Sequence, residues 1–153
     1  MFRKRILIPY NFKPRDEKSI HYAIRSFAGD KSVYISLLHL HAPISKIGVF
    51  SLGKNELIKT LGKKITDFRQ KEDEFFKLKE LFLENNFTEE QVDIIFKPKQ
   101  ESIAKDIVNF VKDKNYSTVI LNRAPGKKIV TFGESVSIKL ISSLKEKEII
   151  ILT

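Results

Sequence analysis

Apolar residues follow two periods along the chain, one typical of buried strands and the other of amphipathic helices. Almost continuous apolar runs predict five strands, over residues 5–10, 33–40, 92–97, 118–122 and 148–152. Between these runs, apolar residues recur three or four positions apart and predict four helices, over residues 15–28, 55–86, 101–114 and 134–145. Alternation of this kind is typical of a parallel sheet. We therefore expect an α/β fold with a doubly wound five-stranded parallel sheet and helices on both faces.

The longest predicted helix carries one apolar stripe: Leu57, Leu61, Ile65, Phe68, Phe75, Leu78 and Phe82. The segment before it, residues 44–52, is unusually apolar for a connection. It could cover a ligand cleft, contact a partner or pack on the second helix, and the sequence leaves these three interpretations open. Thr88 and Gln91 have the spacing of a capping box. Because a strand follows so soon, we expect little helical structure there.

Length and composition restrict the class of protein. The chain has 153 residues, which suits one domain over residues 1–153, and its 42% apolar content is enough for a core. It has no cysteine, which excludes disulfides and thiol chemistry. The apolar run Ile6–Ile8 is too short for a signal peptide, and no run approaches the roughly 20 residues of a membrane helix. We expect a cytoplasmic protein with no membrane association.

The net charge is +9, from 28 Lys and Arg against 19 Asp and Glu. A charge of this sign could attract nucleic acid, an anionic surface or a small anionic ligand. The lysines are dispersed among acids, a distribution that favours an ordinary solvated surface and argues against nucleic acid. A basic binder of anions or nucleic acid stays as a third functional hypothesis, after the two stated below.

Residues that follow the predicted strands are the ones to inspect, because doubly wound folds bind ligands at the carboxyl ends of their strands. Asn11 follows the first strand, and Lys97 closes the third. A response regulator would need acids at these two places. No glycine precedes Gly29, so the first strand is followed by neither a dinucleotide-binding turn nor a P-loop. These three classes are excluded.

Several segments, in their order and spacing, resemble the universal stress protein family over the whole chain. They are Ile6-Leu7-Ile8-Pro9, Ser19-Ile20-His21-Tyr22-Ala23, Leu37-Leu38-His39-Leu40, Val119-Ile120-Leu121 and Glu134–Leu140. The resemblance implies strand order 3-2-1-4-5, a homodimer through the last strand, and a site for ATP or another adenine nucleotide. The nucleotide-binding positions that it implies fall on Asn11, Leu40, Asn122, Arg123, Lys127, Lys128, Gly133 and Ser135.

The glycine loop of the ATP-binding members is degraded in this chain. That loop has a glycine, two residues, a second glycine, nine residues, and a third glycine with Ser or Thr. Here the first two glycine positions fall on Asn122 and Pro125, and the third falls on Ser135, or on Glu134 if the loop is one residue shorter. Pro125 has no N–H to offer a phosphate, and Asn11 stands where the family usually has Asp. We therefore expect weak ATP binding or none.

Other features of the same loop favour an anion. Arg123, Lys127 and Lys128 supply positive charge, and Gly133 with Ser135 would make an anion-friendly helix start, which Glu134 opposes. The leading hypothesis is a stress-response binding or signalling protein without catalytic chemistry of its own. The second is an adenine-nucleotide switch or weak ATPase of the same family.

His39 and His41 lie two positions apart and should point to the same face of the second strand. A metal site would need a third ligand, and no acid or histidine is near in sequence. We expect a packed or hydrogen-bonded pair, with no metal bound.

Overall fold

The computed structural model describes residues 1–43, 53–123 and 136–153. Within these ranges the strands are β1 (Lys4–Pro9), β2 (Val33–His41), β3 (Val92–Pro98), β4 (Thr118–Asn122) and β5 (Glu148–Leu152). The helices are α1 (Glu17–Phe27), α2 (Lys54–Glu84), α3 (Ile103–Asp113) and α4 (Val136–Ser143). All strand pairs are parallel, and the sheet order is β3-β2-β1-β4-β5. The predicted fold class and strand order are confirmed.

Helices cover both faces of the sheet, and each face has its own cluster of buried residues. Ile8 and Leu37 point to the face where Ile20 of α1 and Phe75 of α2 pack. On the opposite face the buried residues come from α3, α4 and alternate strand positions, and they include Leu7, Leu38, Val119, Ile107, Val111 and Leu140. This alternation follows from the period of two in a strand. Because β2, β1 and β4 are adjacent and parallel, their carboxyl ends lie together at one edge of the sheet, between the two helix layers.

The first predicted helix, over residues 15–28, divides into two parts. A 3₁₀ turn at Pro14–Asp16 precedes α1. The proline suits the first position of a turn because its missing N–H would have no partner there. After the helix, Gly29 has φ +84°, the left-handed conformation that a glycine accepts at a helix end.

More structure forms at Thr88–Gln91 than we expected. A 3₁₀ turn spans Glu89–Gln91, and the Thr88 N–H donates to Gln91 Oε1 at 3.0 Å. The Gln91 side chain is buried and its Nε2 donates to the carbonyl oxygens of Asp30 and Val33, at 2.8 and 2.9 Å. These long-range bonds anchor the turn to the start of β2, which the local sequence could not reveal.

The apolar stripe of α2 contacts the sheet along only part of its length. Phe75 and Phe82 are completely buried, whereas Ile65 and Phe68 are 52% and 37% exposed. A helix of 31 residues is about 46 Å long, and the nine residues of β2 span only about 30 Å. The helix is therefore longer than the sheet that it covers, and the apolar stripe is less buried in its amino-terminal half, where Phe68 still contacts His41 and Phe96.

Two further features of the described part of the chain concern membrane-spanning helices and the outer strand of the sheet. None of its helices is long and apolar enough to cross a membrane. At one end of the sheet, β5 pairs with β4, and no described strand lies on its other side.

Candidate functional site

Four of the residues predicted to form the site lie at the carboxyl edge of the sheet. Asn11 follows β1 and is exposed, and Leu40 near the end of β2 is half-buried against the α3 and α4 cluster. Asn122 ends β4 and is half-buried. Arg123 is exposed, and its N–H donates to the carbonyl oxygen of Leu152 at 2.8 Å, which extends the β4–β5 ladder. The structure brings these four to one edge, as predicted.

The side chain of Asn122 is committed to a structural role. Its Nδ2 donates to Ser19 Oγ at 2.8 Å and to the main-chain oxygen of Asp16 at 3.3 Å. Its Oδ1 is buried and has no hydrogen-bond partner within the described residues. At the position where the sequence resemblance implies the first glycine of the loop, this chain has a side chain that joins the end of β4 to the start of α1.

Asp16 is a central residue of this edge that the sequence analysis missed. It is 7% exposed, and its Oδ2 accepts the N–H groups of Asn11 and Lys13, at 2.8 and 3.2 Å. Ser19 Oγ donates to the Asp16 main-chain oxygen at 2.7 Å. The buried carboxylate therefore holds the backbone of the loop between β1 and α1 through two hydrogen bonds. An acid in the first turn after Pro14 was the available signal.

Phe12 packs beside the carboxyl end of β1, on the face of the sheet that α2 covers. Its φ is +58°, which is rare for a bulky residue and costs about 1–3 kcal/mol. The ring centroid lies 5.0 Å from that of Tyr10, 4.8 Å from that of Phe75 and 5.0 Å from that of His39. Several aromatic contacts of this kind, at about 0.5–1.5 kcal/mol each, offset the strain. The Lys71 ammonium lies 5.8 Å from the same ring centroid.

His39 is buried, at 3% exposure, and its Nδ1 lies 3.0 Å from the carbonyl oxygen of Tyr10. Because a carbonyl only accepts, Nδ1 carries the hydrogen, and in the neutral ring Nε2 is then an acceptor. Burial lowers the pKa of His39. The Tyr10 carbonyl acts in the opposite direction, and Lys71 and His41 lower the pKa further. Together these effects favour the neutral form of the ring.

His41 lies on the same face of β2, as predicted. Its ring meets that of Phe68 edge-on, with 5.8 Å between centroids. Both rings pack against aromatic side chains and have hydrogen-bond partners, which agrees with the expectation of a packed or hydrogen-bonded pair. Within residues 1–43, 53–123 and 136–153, no group of three or more His, Cys, Asp or Glu side chains is placed to hold a metal ion.

A groove lies between the end of β2 and the amino-terminal half of α2, and we call it the α2 groove. Its volume is about 590 Å³. His39, His41 and Ala42 form one wall, and Leu61, Ile65 and Phe68 contribute apolar surface to the other. It is on the opposite face of the sheet from the cluster that contains Leu40.

The remaining predicted residues fall outside the described part of the chain. They are Lys127, Lys128, Gly133 and Ser135, together with Pro125 and the apolar segment 44–52. Their roles stay predictions.

The strand order and the clustered strand ends define a doubly wound α/β protein. Several solved structures share this fold and most of its length. Universal stress protein UspA from Lactobacillus plantarum has a TM-score of 0.66 at 11% identity, over 100% of this chain and 99% of that one. A universal stress protein from Archaeoglobus fulgidus in complex with dAMP has a TM-score of 0.58 at 15% identity, over 100% of both chains. A universal stress protein in complex with cAMP has a TM-score of 0.62 at 5% identity, over 98% and 96%.

These likenesses show that the chain has the fold of the universal stress proteins, and the resemblance predicted from the sequence is confirmed at that level. No protein-family model matches the chain, and no curated protein sequence matches it.

Proposed function

We propose that this chain is a universal stress protein-like binding or signalling protein of the stress response that binds Mg-ATP weakly or not at all. The observation that carries the proposal is the buried Asp16 carboxylate, which accepts the N–H groups of Asn11 and Lys13. Backbone N–H groups that are bonded internally are not free to bind a phosphate, and a carboxylate behind them repels one.

Two further residues support weak ATP binding. Asn122 is tied to Ser19 and Asp16, so its position does not offer the open backbone of a glycine. Asn11 carries an amide, whereas Mg²⁺ is held by carboxylate and phosphate oxygens. The proposal assigns the chain a binding role without a chemical step of its own.

The second candidate is a protein that binds an adenine mononucleotide or switches with one. It is favoured by the two solved structures of the same fold that are complexes with dAMP and cAMP. A single phosphate needs fewer donors than a triphosphate. Exposed Arg123 lies at the carboxyl edge of β4, where it could supply the charge.

We also propose that residues 1–153 form one domain of a cytoplasmic protein. This domain forms a homodimer through β5. The support for the dimer is the outer edge of β5, which no described strand covers. Unpaired N–H and C=O groups on such an edge are normally protected, and two-fold dimers, in which a mate could cover this edge, are the commonest oligomers.

Mass spectrometry of the small molecules released when the purified full chain is denatured tests this proposal. We expect no ATP or ADP near one molecule per chain. Stoichiometric ATP would contradict the leading proposal. Stoichiometric AMP or cAMP would support the second candidate.

A further inference from the structure

Three large apolar side chains form an exposed line along α2. Ile58, Ile65 and Phe76 are 59%, 52% and 53% exposed. Their spacings of 7 and 11 residues are close to whole numbers of helical turns, so they lie within about 20° of one another around the helix and extend over about 27 Å of its length. We call this line the α2 stripe. Large apolar side chains that are aligned and exposed indicate a surface that another molecule covers.

The α2 stripe faces outward at the edge of the sheet opposite to β5. The helix lies over β3, the other edge strand, and Phe75 contacts Phe96 there with 5.0 Å between ring centroids. On the other side of α2, the Lys71 ammonium lies 5.8 Å from the centroid of the Phe12 ring, in the loop before α1. Lys71 is about 120° from Ile65 around the helix, so the stripe is turned away from that loop.

The two halves of α2 carry opposite charge. Residues 54–71 include six Lys and Arg against two Asp and Glu, and residues 72–84 include five Asp and Glu against two Lys. A nucleic acid or an anionic lipid surface would attract the first half and repel the second. A second α2 helix that runs antiparallel meets each half with its opposite, whereas a parallel one would bring like charges together. The charge distribution therefore favours a second copy in the antiparallel orientation.

From the α2 stripe and this charge distribution we propose that α2 pairs with α2 of a second copy of the chain, about a two-fold axis. The axis passes near residue 67, midway between the ends of the stripe. Ile58 of one copy then lies beside Phe76 of the other, and Ile65 packs near the axis against the aliphatic stem of Arg69. Because such an interface is isologous, each of these contacts occurs twice.

Charged side chains beside the stripe fit the same register. Lys59 and Asp73 lie within about 40° of each other around the helix, on one flank of the stripe. The two-fold axis brings that flank against its own copy, so Lys59 of one helix lies within two residues, about 3 Å along the axis, of Asp73 of the other. Lys64 and Glu72 have the same relation on the other flank. Each such surface pair contributes little to affinity, but together they select the orientation.

A pair of helices is a small interface, and small interfaces give weak and reversible association. We expect a dissociation constant of roughly 200–500 μM, so this pairing is sparse at the tens of micromolar where β5 would already pair. The proposal does not rest on the proposed function or on the β5 dimer. It can be tested in the full chain with Ile151→Lys, the change that is expected to prevent β5 pairing.

Crosslinking tests the orientation. The chain has no cysteine, so an introduced thiol is unique. A short bismaleimide should join Ile58→Cys to Phe76→Cys in a mixture of the two at about 300 μM. Ile58→Cys alone should give at least about fivefold less product, because antiparallel pairing leaves its two thiols about 27 Å apart along the helices. A mixture of Lys63→Cys and Gln70→Cys is the matched control, since these exposed positions share the register but lie on the far side of α2.

Sedimentation equilibrium up to about 1 mM, in the Ile151→Lys background, measures the strength of the pairing. Ile65→Glu places a charge in the stripe and should weaken association about tenfold or more. Gln70→Glu adds the same charge on the far side of α2 and should leave association within about twofold. Lys59→Glu should weaken it about threefold, and adding Asp73→Lys should restore it, because the exchange rebuilds both ion pairs.

Circular dichroism shows whether the variants keep the fold, and we expect no change because every substituted position on α2 is exposed. The proposal is overturned by a lack of association at about 1 mM, by crosslinking of Ile58→Cys with itself, or by equal effects of Ile65→Glu and Gln70→Glu. Calorimetry with Mg-ATP has a separate readout, so this proposal and the proposed function can fail independently.

Discussion

The side-chain amide of Asn122 donates to Ser19 Oγ at 2.8 Å and thereby joins the end of β4 to the first turn of α1. The two residues are 103 positions apart in the sequence. Ser19 in turn donates to the main-chain oxygen of Asp16, whose carboxylate holds the loop after β1. A chain of internal hydrogen bonds therefore occupies the carboxyl end of the sheet between β1 and β4.

Asn122→Ala should lower the free energy of unfolding by about 1–2 kcal/mol, because Ser19 and the Asp16 carbonyl lose a donor. Urea unfolding followed by circular dichroism measures the change. Asn11→Ala is the matched control, since that side chain is exposed and should cost less than about 0.5 kcal/mol. Equal losses in the two variants would show that the Asn122 bonds contribute nothing specific.

Asp16→Asn should cost about 1.5–3 kcal/mol, because two backbone N–H groups lose a charged acceptor in a buried place. Glu17→Gln, one residue later and exposed, removes the same charge without touching these bonds. A stable Asp16→Asn variant, within about 0.5 kcal/mol of the control, would contradict the role of the carboxylate.

Stability should fall on mild acidification because of His39. Burial holds the pKa of its ring below the ordinary value of 6.5, against a smaller opposite effect of the Tyr10 carbonyl. Below about pH 6.5 the unfolded chain takes up a proton that folded His39 does not, so stability decreases until the pH reaches the folded pKa and then levels off. The charged or titratable neighbours of the ring are Lys71, which adds to the lowering, His41 and Tyr10.

His39→Asn retains a donor for the Tyr10 carbonyl and removes the titration. Urea midpoints at pH 7 and at about pH 5.5, above the range where most carboxylates titrate, measure the effect. The unmodified chain should lose more stability between these two values than the variant does. Identical losses would mean that His39 is not the group responsible.

The β5 homodimer has its own test. Ile149 and Ile150 pack against the two core clusters, so a charge at either would damage the fold. Ile151→Lys is the better variant, and Ile141→Lys, at a position on α4 that is 51% exposed, is its control. Sedimentation should show a dimer at tens of micromolar for the unmodified chain and for Ile141→Lys, and a monomer for Ile151→Lys. A monomeric unmodified chain would rule out the dimer.

The fold could be predicted from the sequence because its signals are local. Apolar runs of five to eight residues and helical spacing predicted the elements, with ends correct to within about three residues in the described ranges. The strand order came from the family resemblance, since periodicity does not distinguish one order of parallel strands from another.

The details of the edge could not be predicted in the same way. The positive φ of Phe12 depends on rings from β1, β2 and α2 that meet only in the folded chain. The bonds of Asn122 join residues more than 100 positions apart. The exposure of Ile65 follows from the length of α2 relative to the sheet, which the pattern of the helix itself does not contain.

Calorimetric titration of the full chain with Mg-ATP tests the central claim most directly. The internal bonds of Asp16 and Asn122 predict no measurable heat, or a dissociation constant above about 100 μM, which corresponds to less than about 5.5 kcal/mol of binding free energy. A dissociation constant of a few micromolar, near 8 kcal/mol, would contradict the account, because binding of that strength would show that this edge still serves as a nucleotide site.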